Sequence, residues 1–222
     1  MKLNNCIEIL QASLSGGVFG QETLTEVKFA ESFLATARAV CIRELYPNRN
    51  NVHGIYYQSI DLKYEEALQE DDCFTVFRHP TVLNINANID GHQLMGTTKG
   101  GRPWIRVQSH AHYQNMLSAM GGRIINGQLY FILEPADELV KVFHNADAVR
   151  PKRGTSIFIA DNPLHELIQF NRQLDEYPIT PECMAMVEQY LRQGKFEKYL
   201  QRPANVVANG ADDLNAAVQG AQ

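Results

Sequence analysis

His110-Ala111-His112 is the spacing in this chain most suggestive of chemistry. On a β-strand, residues two apart face the same side, so a strand through Trp104–Tyr113 would aim both imidazoles at one metal ion. A metal centre also needs a third ligand, often a carboxylate. Neither His-x-Asp/Glu nor His-Glu-x-x-His accompanies the pair, and a polar sheet face is the simpler expectation. Thr97-Thr98-Lys99-Gly100-Gly101-Arg102 has the residue types of a phosphate cradle in the wrong order. A P-loop places its lysine after the glycines and opens a helix, whereas here Lys99 comes first and Pro103-Trp104 follow, so a hairpin loop with a basic tip is expected. Asp90-Gly91-His92 and Ser109-His110 hold the pieces of a hydrolytic triad but no Gly-x-Ser-x-Gly elbow. Glu65-Glu66 and Glu70-Asp71-Asp72 lack the Asp-x-Asp-x-Asn-Gly spacing of a calcium loop and read as a solvated connector. No catalytic residue, metal ligand or cofactor site is assigned on these patterns.

Cys6, Cys41, Cys73 and Cys183 are isolated from one another, with no Cys-x-x-Cys, so buried free thiols are expected. The 222 residues are 45% hydrophobic and 20% charged, enough for a large packed core. Mean hydropathy is −0.27 and no long apolar run occurs, which argues against a membrane span and for a cytosolic start. Met1-Lys2-Leu3-Asn4-Asn5-Cys6 carries none of the apolar run of a secretory signal. The net charge of −5 lacks the basic excess of a protein that grips DNA. Such acidity is compatible with a surface past which DNA slides without sticking, although most acidic proteins never meet DNA.

Helices flank a β-rich middle. Leu3, Ile7 and Leu10 make a weak pattern, read as an arm or a short helix. Thr23-Leu24-Thr25-Glu26 matches a capping box, and Leu24, Val27, Ala30, Phe33, Leu34, Ala37, Val40, Cys41 and Leu45 form a broad apolar stripe closed by Pro47. Leu83 to Asp90 alternates with period two, and Ile124 to Leu133 reads as a hairpin on Asn126-Gly127. Ile55–Leu62, Cys73–Phe77, Trp104–Tyr113, Leu139–Phe143 and Thr155–Ala160 are further strand candidates. After Asp161, Asn162 and Pro163 suit a helix start, with Leu164, Leu167, Ile168 and Leu174 as its buried stripe.

The C-terminal fifth is the most distinctive part. Tyr177-Pro178-Ile179-Thr180-Pro181 forces an extended approach and a sharp helix start, with Thr180 as cap and Pro181 in the first position. Met184, Val187, Tyr190 and Leu191 then share one helix face, Gly194 stops it, and a short second helix spans Phe196 to Leu200. The stretch after Pro203 offers Val206, Val207, Leu214 and Val218 as its larger apolar side chains, too few for a core of its own.

The Tyr-Pro-(aliphatic)-(Ser/Thr) lead-in at Tyr177-Pro178-Ile179-Thr180, the helix pair after it and the tail bearing Asn209-Gly210-Ala211-Asp212 resemble the C-terminal region of virion structural proteins from crAss-like, podovirus-type phages of Bacteroidetes. The resemblance implies an adaptor of the head-to-tail connector. Such a subunit forms a ring, twelve-fold, below the portal protein, contacts further tail and ring proteins, and lets double-stranded DNA pass without specific binding.

The expected fold is α+β: a helical bundle of N- and C-terminal helices with an inserted antiparallel β-sheet or sandwich block, flanked by extended terminal arms. The expected divisions are an arm at 1–20, a helical adaptor part at 21–47 and 161–202, a β-rich insertion at 48–160 and an arm at 203–222. Tyr177, Pro178, Met184, Tyr190, Asn209, Asp212 and Asp213 are the candidate partner-interface residues. Other readings are a different virion component, such as a tail-tube or head-completion subunit, and a metal-dependent or phosphate-handling enzyme using His110, His112 and the loop from Lys99 to Arg102.

Overall fold

Leu3, Cys6, Ile7 and Leu10 recur at helical spacing, and they form the buried stripe of α1 (Leu3–Ser15). The computed structural model describes residues 1–15, 27–47, 52–69, 74–86, 89–96, 103–119, 128–144 and 151–196. The chain's start is therefore a docked helix and not an extended arm. Its apolar stripe is wide enough to need a partner, and it packs on α2 (Val27–Leu45) and α4 (Pro181–Arg192).

The α2 stripe is buried as expected at Ala30, Phe33, Leu34, Ala37 and Cys41, with Ile42 added. The capping box at Thr23–Glu26 lies outside the described residues. In α4, Thr180 Oγ1 accepts the Cys183 N–H at 3.1 Å, and Pro181 occupies the first turn, where its missing donor costs nothing. Gly194 ends the helix with φ 70°, the left-handed conformation that needs no Cβ, and its N–H donates to Leu191 O. Phe196 then turns back and meets the Phe33 ring edge-on at 5.6 Å. Residues 197–222, including the rest of the expected second helix and the tail, lie outside the described residues.

The β block opens with a 3-10 turn at Gly54–Tyr56, which takes the start of the expected Ile55–Leu62 strand. It holds a three-stranded sheet in the order β1 (Gln58–Lys63), β9 (Arg153–Phe158), β5 (His92–Gly96). A four-stranded sheet runs β2 (Phe74–Arg78), β8 (Leu139–Phe143), β7 (Tyr130–Glu134), β6 (Ile105–Arg106). Pairing is antiparallel in both sheets except between β6 and β7, which run parallel. Ile60, Leu62, Met95 and Phe158 from the first sheet share one apolar core with Phe77, Phe131, Val140 and Val142 from the second. The fold is α+β, with the sheets inserted between helices that pack together.

Three expected elements differ. The Leu83–Asp90 run is split into β3 (Asn84–Asn86) and β4 (Ile89–Asp90), a small separate hairpin with a register shift. Trp104–Tyr113 is strand only at β6 and becomes α3 (His110–Ala119). Ser109 Oγ accepts the His112 N–H at that helix start, and Tyr113, Met116 and Leu117 supply the packed face over Tyr130 and Phe143. Finally, residues 163–174 form turns and no helix. Asn162 does accept the Leu164 N–H, but His165 Nδ1 takes the Leu167 N–H and Asn171 Oδ1 takes those of Gln173 and Leu174. These local bonds compete with the helical ladder, and Leu174, expected in the buried stripe, is 73% exposed. The Asn126-Gly127 turn lies outside the described residues.

Candidate functional site

The sequence-derived sites disperse in three dimensions. His110 and His112 sit on α3, where residues two apart point some 200° around the axis and cannot share an ion. His110 instead hydrogen-bonds Gln114, and His112 Nδ1 accepts the Gln108 N–H. Thr97–Arg102 lies outside the described residues, as do Glu70, Asp71, Asp72 and Cys73. Glu65 pairs with Arg78 at 3.3 Å. Among the described residues no cluster of His, Cys, Asp and Glu is arranged to hold a metal ion.

Of the candidate partner-interface residues, Tyr177, Pro178, Met184 and Tyr190 are buried in the chain's own helical core. Their burial corrects the expectation of an exposed contact face. The α1 docking, which the sequence showed weakly, covers the surface that α4 would otherwise present. Asn209, Asp212 and Asp213 lie outside the described residues.

What Tyr177–Thr180 builds is a hub. Arg38, on α2 and fully buried, donates from Nε to Pro178 O at 2.6 Å and from Nη1 to Ala160 O at 2.9 Å. Its Nη2 approaches Tyr56 O at 3.4 Å, and its guanidinium lies 5.6 Å from the Tyr56 ring centre. Tyr56 lies just before β1 and Ala160 just after β9, so one guanidinium gathers both ends of the insertion and the lead-in to α4. Burial pulls the Arg38 pKa down, because the charge has left water. The Tyr177 N–H donates to Met1 O at 2.8 Å, and Tyr56 Oη meets Thr180 Oγ1 at 2.7 Å. Beside them, the interaction between the Cys41 and Cys183 thiols pulls the Cys183 pKa down and, with burial, pushes that of Cys41 up.

A second polar pair lies inside the sheet block. His79 is 1% exposed, with Nε2 2.7 Å from Ser156 Oγ and Nδ1 2.7 Å from Pro80 O. The Phe158 ring stands 4.6 Å away. Burial drops the His79 pKa to about 4, so the ring is neutral at pH 7. A serine oriented on a histidine is the core of a nucleophilic dyad. Ser156 is fully buried, however, and the pair works as a bolt between β9 and the residue following β2.

Among the described residues, one open feature of the surface is a cleft of about 330 Å³ between the edges of the two sheets. Ser59, Asp61 and Lys63 of β1 line one side, and Arg78, Glu166 and Gln169 line the other. Ile60 and Leu167 add apolar surface. The Tyr64 N–H bonds Lys152 O, so the even-numbered residues of β1 carry the ladder to β9. The backbone groups of Ser59, Asp61 and Lys63 therefore point away from β9 and into the cleft. The edge of β2 is closed differently. The Gln69 side chain donates to Val76 O and accepts from the Val76 N–H, both at 3.0 Å, imitating a neighbouring strand.

Neither the His79–Ser156 pair nor the cleft carried a signal in sequence. Arg38 interrupts an apolar stripe, which marks a polar residue on a buried face, but its carbonyl partners lie 18, 122 and 140 residues away along the chain. No family model matches the chain, and no curated protein matches it by sequence.

Proposed function

We propose that the chain is a phage virion structural protein, an adaptor subunit that closes into a ring in the head-to-tail connector below the portal. The observation that carries this reading is the position of the Tyr177-Pro178-Ile179-Thr180 segment, on which the resemblance rests. It is clamped by Arg38, bonded to Met1 O and joined through Thr180 to Tyr56. A subunit of a ring must hold its shape against its neighbours' forces, and this segment ties both ends of the insertion to α2 and α4. Heterologous contacts that close by rotation generate rings. The net charge of −5 suits a passage for DNA that does not retain it.

Native mass spectrometry and electron microscopy of the purified protein test this. A twelve-fold ring of 25.1 kDa subunits has a mass of about 300 kDa. A homogeneous monomer at high micromolar concentration, together with absence of the chain from purified virions, overturns the proposal.

A further inference from the structure

Among the described residues, the cleft beside β1 has one open strand edge and one closed edge. Gln69 occupies the Val76 position on β2, while Ser59, Asp61 and Lys63 keep outward amides and carbonyls. An open edge pairs with another strand when geometry allows. Arg78, Glu166, Leu167 and Gln169 line the same cleft. From Ser59 to Lys63 the edge measures about 13 Å, the length over which an added strand makes its backbone bonds to the outward-facing residues.

We propose that this cleft receives an extended stretch of the C-terminal segment of a neighbouring subunit, centred on Val206-Val207, as an added strand. The inference rests on the assembly reading above and names the surface that the segment uses. Three properties of the segment match. Residues 203–211 carry no charge, so they bring no like-charge repulsion to a cleft lined by both signs. Val206 and Val207 are β-branched and flanked by alanine and asparagine, side chains favourable to a strand or small enough for a narrow cleft. Pro203 prevents a helix from continuing into the stretch. Twenty-six residues follow Phe196 in the sequence, a contour of about 86 Å at about 3.3 Å per extended residue. Val206 or Val207 would lay its side chain on Ile60 and Leu167, while Asp61 and Lys63 stay hydrated at the rim.

The full-length protein supplies the test. Benzoylphenylalanine in place of Ala208, on an isotopically heavy subunit mixed with light wild-type subunits, is photolysed in the assembled state. The expected product is a heavy-to-light cross-link into residues 58–63. Asp61→Pro removes a donor that faces the cleft and leaves the β9 ladder intact, so it should lower the cross-link yield at least tenfold with the thermal midpoint unchanged. If that variant melts early, the double variant Val206→Pro, Val207→Pro removes the donors from the other partner and should give the same loss. Cross-links confined to one isotope, cross-links into other surfaces, or yields unaffected by the prolines overturn the inference. A ring of the expected mass without these cross-links overturns it too, and leaves the assembly reading standing. Heavy-to-light cross-links in pairs that never close into rings support the strand addition and overturn the ring.

Discussion

Replacing Arg38 by methionine keeps most of the aliphatic stem and removes every donor. The carbonyls of Pro178 and Ala160, now bonded at 2.6 and 2.9 Å, would be left in a dry core. Each orphaned buried acceptor costs about 1–3 kcal/mol, a gross loss of roughly 2–6. Relief from burying the guanidinium offsets part of this, so Arg38→Met should destabilise by about 2–4 kcal/mol net. Urea titration read by two probes checks it. Helical circular dichroism reports mainly on α1, α2 and α4, while the fluorescence of Trp104, the one tryptophan, reports on the core shared by the sheets. The two transitions should coincide in the wild type. In Arg38→Met the helical signal should move to lower urea, and the tryptophan transition should separate from it, because the tie between the two bodies is cut. Arg38→Lys should lose nearly as much, since one ammonium cannot match the fork that reaches carbonyls from separate elements. A midpoint for Arg38→Met within about 0.5 kcal/mol of wild type, with the probes still coincident, would refute the hub.

His79 titrates at about 4 when folded and near 6.5 when unfolded. The unfolded state thus binds more protons between these values, and stability should fall by up to ~3 kcal/mol as pH drops through that window. His79→Gln should flatten that part of a pH series of urea midpoints. Tyr177 Oη is buried with no hydrogen-bond partner among the described residues, so Tyr177→Phe should be neutral or stabilising by about 1 kcal/mol; a clear loss in calorimetry would mean the hydroxyl has a role. Adding a Cβ at Gly154 would bring it 2.6 Å from Trp104 Cη2 and 3.0 Å from Gly96 O, so Gly154→Ala should cost about 1–3 kcal/mol and shift Trp104 emission. Phe33→Ala removes the partner of Phe196 from the helical core and should cost roughly 3–5 kcal/mol in the same titration.

Elements whose residues carry their own start, stop and period were readable. α4 needed only Thr180, Pro181 and Gly194, and α2 needed only its stripe. The stretch at 163–174 had a cap and apolar residues at the right spacing, but Asn162, His165 and Asn171 spend their side chains on nearby N–H groups and halt the ladder. His110 and His112 were read as a strand because the helix start depends on Ser109 and on Tyr130 and Phe143 beneath it, and those rings come from later strands. The cleft was illegible for the same reason. Its walls come from residues 59–63, 78 and 166–169, which no local pattern relates.

The clamp at Arg38 also sets a timetable for synthesis. α1 and α2 leave the ribosome early, yet Pro178 O lies 140 residues downstream of the guanidinium that binds it. At ~5–20 residues per second, the apolar faces of both helices wait on the order of 10 s before α4 can cover them. During that interval the sheet block must emerge and close, since β1 does not meet β9 until nearly all of it has been made. The nascent chain thus exposes these faces for a fixed portion of its synthesis, and slowing translation between Leu45 and Thr180 should lengthen that exposure and raise the yield of aggregates, while slowing it earlier should not.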